Sequence, residues 1–338
     1  MISIAFPKSK MAAKGQTILA ADVGGTKTNL SLFTVVDGEM RFIREGSYRS
    51  SQYPSFVDIV KVFHAGVALP DRICVGFAGP VIRGEAEGTN LAWGISSTKV
   101  TQELGIRKVS IINDLEANAY GLAALQEHEV LVLNDGDKDL KGNAAIISPG
   151  TGLGEAGLFW DGKGLHPFAT EGGHCDFYPR TEIDVELFLY LRSTYEHISW
   201  ERLLSGAGIF TIYKFLRDIR NLDEPLWMSR KMAQEDPAQV ISKAAMKEEH
   251  IALETYQLFL RYLAEESANL ALKIKSTGGL FIGGGIVPKI LPMLDQRVFL
   301  SHFLHSGRLK TLLEKVPVYV ILNDKTALWG AAYYAAYS

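Results

Sequence analysis

Apolar residues in this chain follow two rhythms. Short buried or alternating runs punctuated by glycine fill the first half, and helical spacing over longer stretches dominates the second. Thr17-Ile18-Leu19-Ala20-Ala21 reads as a buried strand, Gly24-Gly25 as a turn, and Asn29 to Val35 as an alternating return strand. Asp37-Gly38 marks a second hairpin turn before Met40-Arg41-Phe42-Ile43, so three antiparallel strands are predicted to open the chain. A helix over Phe56 to Phe63 precedes a buried strand, Arg72 to Phe77, that ends in Ala78-Gly79-Pro80. A further strand, Val109 to Ile112, runs into Asn113-Asp114. Leu115, Ala119 and Leu122 then share one face of a helix that reaches Leu125.

The same grammar returns later. Asn143 to Ser148 is a strand, Gly150-Thr151-Gly152-Leu153-Gly154 a glycine turn, Ala156 to Trp160 a second strand, and Asp161-Gly162 again a hairpin turn. The repetition predicts a duplicated α/β unit. Helical spacing covers Arg202 to Ile219, His250 to Ile274 and Pro288 to Leu300, the second carrying Leu253, Tyr256, Leu260 and Leu263 on one side. The strand Gly279 to Ile282 ends in Gly283-Gly284-Gly285, and the chain closes with a strand from Val318 to Leu322 and a helix from Lys325 to Tyr334.

At 338 residues the chain predicts two domains, and 47% hydrophobic with 22% charged residues is the composition of an ordinary globular protein. A formal net charge of −3 supplies no global field for nucleic acid or an anionic membrane. Any polyanion must therefore be held by local backbone N–H groups, helix N-termini or a metal ion. Cys74 and Cys175 form no C-x-x-C pair, which fits a reducing compartment and excludes a four-cysteine zinc site. No apolar run approaches the roughly 20 residues of a membrane span. Residues 1–16, with Lys8, Lys10 and Lys14, lack the apolar core of a signal peptide and read as a frayed extension or an upstream start. The expected setting is cytoplasmic.

Five segments carry candidate chemistry. In Asp22-Val23-Gly24-Gly25-Thr26-Lys27-Thr28 the glycines would let backbone N–H groups approach phosphate oxygens, and Asp22 could hold a hydrated Mg²⁺ beside them. The same residues would also serve a plain hairpin with Asp22 as a turn former. The chain has no G-x-x-x-x-G-K-[ST] run, so this is not a P-loop. Gly152 to Gly157 matches G-x-G-x-x-G, but a strand and an Asp-Gly turn follow where a dinucleotide site needs a helix. That segment reads as a second phosphate hairpin. Asp114, at a strand end, is placed to accept a proton from a hydroxyl, or else to cap the helix it precedes. Glu171-Gly172-Gly173-His174-Cys175-Asp176 mixes the carboxylate and imidazole groups that a sugar pocket needs, since hydroxyls both donate and accept. A zinc site from His174, Cys175 and Asp176 is disfavoured because adjacent residues cannot all turn to one ion, and His174 could equally be a satisfied core histidine. Gly283 to Gly285, with Pro288 opening a helix, offers a flat surface for a nucleoside or an ordinary turn.

ADVGGTKTNLSLF (Ala21 to Phe33), GFAGPV (Gly76 to Val81), TNLAW (Thr89 to Trp93), INDLEANAYG (Ile112 to Gly121), SPGTGLGEA (Ser148 to Ala156), EGGHCDFYP (Glu171 to Pro179), HISWERLLSGAG (His197 to Gly208) and FIGGGIVPKI (Phe281 to Ile290) occur in that order. Together they resemble the bacterial glucokinase family, in the hexokinase branch of the actin-like ATPase (ribonuclease H-like) fold, from about Ile18 onward. The resemblance implies an α/β protein of two domains closing over an inter-domain cleft. These would be a small domain of residues 17–124 plus 319–338 and a large domain of residues 125–318, with residues 1–16 as an N-terminal extension. It implies ATP-dependent phosphorylation of glucose at the 6-hydroxyl, at the entry to glycolysis, with Mg²⁺, in a homodimer free of nucleic acid and membrane. By position, Asp114 would be the catalytic base. Asn90, Asn113, Asp114, Glu171, His174 and Glu201 would hold the sugar. Ala21, Asp22, Val23, Gly24, Gly25, Thr26, Gly150, Thr151, Gly152 and Gly154 would surround the phosphates, and Gly283, Gly284 and Gly285 would meet the adenosine. Three other readings share the fold: a kinase of another hexose or with another donor such as ADP or polyphosphate, a hydrolase or acyl-phosphate kinase, and a sugar-responsive regulator. The last needs a DNA-binding helical domain that about 16 extra residues cannot hold.

Overall fold

The computed structural model describes residues 2–8, 11–88 and 91–338. Backbone contacts gather the chain into two units, Met1–Glu129 with Leu158–Ala169 and Asn323–Ser338, and Val130–Gly157 with Thr170–Leu322.

In the first unit the opening glycine and Asp-Gly turns fold Thr17–Val23, Lys27–Val36 and Glu39–Arg49 into an antiparallel meander. On the other side of Thr17–Val23, the strands Arg72–Phe77 and Lys108–Asn113 add in parallel to complete five strands. Every residue of Arg72–Phe77 is buried, as a parallel strand covered on both faces must be. One face packs on Phe56, Ile59 and Val60 of the helix Phe56–Phe63. The other takes Leu328, Ala331, Ala332 and Ala335 of the last helix, Thr326–Ala336, which also packs on Asp114–Gly121. The buried Arg72 guanidinium donates to the carbonyls of Ala335 (2.9 Å) and Ser338 (3.0 Å), satisfying the end of that last helix.

Residues 4–6 are held in place rather than frayed. Ile4 forms a parallel bridge with Leu165, and the Ala5 N–H donates to the Leu165 carbonyl at 2.8 Å. Phe6 stacks on Tyr337 (4.5 Å between centroids), Tyr333 and Tyr120. Its aromatic partners lie more than a hundred positions away, so a local reading of residues 1–16 could not see them.

A six-stranded sheet, whose central strands belong to the second unit, is ordered Leu165–Thr170, Leu153–Trp160, Ala144–Pro149, Gly279–Ile282, Val318–Ile321, Val130–Asn134. Ala144–Pro149, Gly279–Ile282 and Val318–Ile321 run parallel, and Val130–Asn134 closes the edge antiparallel. Val318–Ile321 thus pairs in this sheet, whereas the sequence grouped residues from 319 onward with the opening segment. Residues 158–169, at the far end of the same sheet, group with the first unit.

The 25-residue helix His250–Ile274 packs on Gly206–Asp218, Pro237–Ala245 and Gln296–Phe303. The predicted Pro288–Leu300 helix is two elements. A 3₁₀ stretch, Val287–Met293, stops after Pro292, and Asp295 then caps Gln296–Phe303 by accepting from Arg297 and Val298 N–H. Among the described residues no helix is long and apolar enough to cross a membrane.

Candidate functional site

In the first unit the carboxyl ends of three neighbouring strands come together. Val23 pairs with Phe77, and Phe77 with Asn113, so Asp22 and Asp114 leave the sheet from the same edge. In open α/β sheets that edge is where ligands bind. Asp22 is half-buried and pairs with Asn29, whose Nδ2 donates to it at 3.4 Å; burial pushes its carboxyl above the usual range, against the Asn29 hydrogen bond. The Gly24–Thr26 turn is braced by residues that no sequence motif singles out. Gly24 N–H donates to the Lys27 carbonyl (2.9 Å), and the buried Ser50 hydroxyl donates to the Gly24 carbonyl (2.8 Å). Ser50 N–H also donates to the Thr26 carbonyl at 3.1 Å.

Asn113, not Asp114, is the N-cap of the helix Asp114–Gly121. Its Oδ1 accepts from Leu115 N–H (2.9 Å) and Glu116 N–H (3.3 Å), and its Nδ2 donates to the Gly79 carbonyl at 3.1 Å. Asp114 is the first helical residue, half-buried, with Oδ1 accepting from Leu115 N–H at 3.0 Å. A carboxylate in this first turn meets the positive end of the helix. Among the described residues no cluster of three or more His, Cys, Asp or Glu side chains could hold a metal ion by itself. The single Asp22 carboxylate fits Mg²⁺, which keeps most of its waters and takes phosphate oxygens.

The second unit joins its glycine turn to polar side chains. Gly150 N–H donates to the Gly152 carbonyl (2.8 Å) and the Gly150 carbonyl accepts from Gly206 N–H (2.9 Å), which fixes the turn. Glu201 Oε2 accepts from Leu153 N–H at 3.0 Å, and its Oε1 lies 3.9 Å from His174 Nε2. Main-chain pairing brings these distant residues together: Trp200 N–H donates to the Cys175 carbonyl and Phe177 N–H to the Ile198 carbonyl.

The two glycines of Glu171-Gly172-Gly173-His174 answer to close approach rather than to unusual dihedrals. A Cβ on Gly173 would strike the Leu153 carbonyl, and one on Gly172 would strike the Glu155 carboxyl, so the turn rests directly on the strand that leaves the glycine turn. Glu171 and His174 are exposed above it. Gly283 N–H donates to the Ile147 carbonyl at 2.8 Å, and Gly283 and Gly284 press against Ser148 and Pro149. The two glycine segments therefore lie side by side at the carboxyl ends of adjacent parallel strands. Asn90 lies outside the described residues.

A glucokinase family model matches residues 19–338. The glucokinase of Nostoc punctiforme is 40% identical over 338 aligned residues, covering 94% of this chain and 98% of that protein. The crystal structure of a glucokinase from an Antarctic psychrotroph superposes with a TM-score of 0.80 at 30% identity, over 96% of this chain and 99% of the other. A ROK-family glucokinase from Streptomyces griseus, solved with glucose and AMPPNP, shares the fold at a TM-score of 0.63 and 21% identity, over 94% of this chain and 99% of that one.

Proposed function

The chain belongs to the glucokinase family, and on that footing we propose that it transfers the γ-phosphoryl group of ATP to the 6-hydroxyl of glucose. The observation that carries this reading is the Glu201 carboxylate, which accepts a hydrogen bond from the glycine turn at Leu153 while facing His174. One side chain thus links a backbone suited to phosphates with groups suited to sugar hydroxyls.

In this reading Asp114 accepts the proton of the 6-hydroxyl as that oxygen attacks the γ-phosphorus in line. Glu171, His174 and Glu201 hold the remaining hydroxyls, together with Asn90. Asn113, with Oδ1 committed to two N–H groups, serves the sugar with its second Nδ2 hydrogen and chiefly positions Asp114. The segments Ala21 to Thr26 and Gly150 to Gly154 take the phosphates, and Gly283 to Gly285 the adenosine. Asp22 would hold Mg²⁺ through its waters, and the ion when bound supplies neutralisation of phosphate charge. Positioning and charge stabilisation carry most of the rate in such a loose transition state. Each of the two units is read as one domain of the enzyme. A homodimer, a cytoplasmic setting and a product destined for glycolysis belong to the same proposal.

The direct test is a coupled assay of the purified chain across hexoses and phosphoryl donors. ATP with glucose is expected to give the highest kcat/KM. Absence of turnover with every hexose and ATP, or a clear preference for ADP or polyphosphate, would overturn the assignment.

A further inference from the structure

Beneath the Glu171–His174 turn lies a pair of carboxyl groups that the mechanism does not use. Glu155, on the strand Leu153–Trp160, is 1% exposed, and Glu266, on the helix His250–Ile274, is 0% exposed. Their carboxyl groups lie close enough to act directly on one another. Glu266 also accepts from Asn269 Nδ2 (2.7 Å) and pairs with Lys273 Nζ (3.1 Å). Glu155 Oε1 is buried with no donor, and Oε2 lies against Gly172, the first glycine of the turn.

Two adjacent buried carboxylates beside one ammonium cannot both stay ionised without a large cost. The donors show which one holds the proton. Glu266 has Asn269 and Lys273 to stabilise its charge, whereas no donor reaches Glu155 Oε1. A protonated Glu155 donates to Glu266 and presents a neutral surface to Gly172.

We propose that Glu155 is a positioning residue whose carboxylic acid form seats the Glu171–His174 turn, and that loss of its proton loosens the turn and weakens sugar binding. The proposal rests on the reading that Glu171 and His174 bind the sugar. Burial first, and then the Glu266 charge, push the Glu155 carboxyl up to about 8, with Lys273 acting in the opposite direction. Burial also raises Glu266, against Asn269 and Lys273. Among the described residues, Cys175 lies near Lys273, and Arg180 donates to Asn269 Oδ1 at 3.1 Å, so these two groups stand one step out from the pair.

The test is the pH dependence of the glucose KM. If the ionised form does not bind sugar, only the protonated fraction is competent, and the wild-type KM should rise about tenfold between about pH 7 and about pH 9. The kcat should change much less over the same range, since the proposal gives the pair a part in seating the sugar-binding turn and none in the proton transfer. Glu155→Gln keeps a donor for Glu266 and cannot ionise, so its KM should stay near the neutral wild-type value throughout. Glu155→Ala should raise KM at every pH. Glu266→Gln removes the charge that holds the proton on Glu155 and should move the KM rise to lower pH. A wild-type KM that is flat from about pH 7 to about pH 9 overturns the inference whatever the variants do, as does an unchanged rise in Glu155→Gln. A wild-type chain that phosphorylates no sugar at any pH instead defeats the kinase reading, so the two failures are distinguishable.

Discussion

The Asn113 side chain is committed mainly to backbone: its oxygen serves Leu115 and Glu116 N–H, and its amide serves the Gly79 carbonyl. That arrangement holds the strand end, the loop after Arg72–Phe77 and the first helical turn together, and Asp114 follows from it with little freedom of its own. Asp114→Asn preserves the size of the side chain and its capacity to accept from Leu115 N–H, but removes its basicity. The expected outcome is a kcat lower by about 10²–10⁴ with glucose binding still measurable by calorimetry. Turnover within a few-fold of the parent enzyme would remove Asp114 from the role of base. The sequence marked Asp114 through its place at a strand end and could not decide between base and cap, because both roles favour aspartate before a helix. Only the hydrogen bonds assign the cap to Asn113. Ser50 and Asn29 gave no sequence signal at all, since a serine after an edge strand and an asparagine in an alternating strand are unremarkable until the turn they brace is seen. Glu155 was hidden for a related reason: one carboxylate in an apolar strand reads as solvated until Glu266 is folded against it.

Helices in the second unit are joined by buried polar groups as well as by packing. Asp184, wholly buried, accepts from Thr181 N–H (2.8 Å) and Arg180 N–H (3.0 Å) at the start of Glu182–Arg192. It also accepts from Tyr262 Oη (2.9 Å) and is paired with Arg261, both on His250–Ile274. One carboxylate therefore satisfies the N-terminus of one helix and neutralises a cation on another. Asp184→Ala would strand two N–H groups and leave Arg261 with only the longer contact to Glu265 (4.0 Å), and breaking a buried pair costs about 3–5 kcal/mol. Urea unfolding should show a loss of that size, and a loss under about 1 kcal/mol would show that solvent already screens the pair. Element existence was legible from spacing, as His250 to Ile274 shows, because a long periodic stretch admits one reading. Element ends were less so. The predicted Arg202–Ile219 helix begins only at Gly206, where Ser205 caps it by accepting from Gly208 N–H, and Trp200–Arg202 forms its own short turn.

At the scale of the whole molecule, the order of motifs disclosed the family, and with it the fold, more fully than any single element could. The opening residues and the course of Val318–Ile321 stayed hidden because both are settled by partners remote in sequence. The same remoteness makes stability depend on pH. Burial raises the carboxyls of Asp22, Glu116, Glu155, Glu265 and Glu266 above the usual range. Each such group binds a proton in the folded chain at a pH where the unfolded chain has released it. Its contribution is complete below the ordinary carboxylate range and is lost as pH rises through the folded value. Burial lowers His64 and His302, so their contribution runs the other way and is lost as pH falls below the ordinary histidine range. The Glu155 share can be isolated, because Glu155→Gln does not titrate. Urea midpoints of wild type and variant, compared across pH, should diverge in favour of the variant from the ordinary carboxylate range up to about 8, then run parallel once Glu155 is ionised in both states. A difference that stays constant across that window would mean that Glu155 is already ionised in the folded protein at neutral pH.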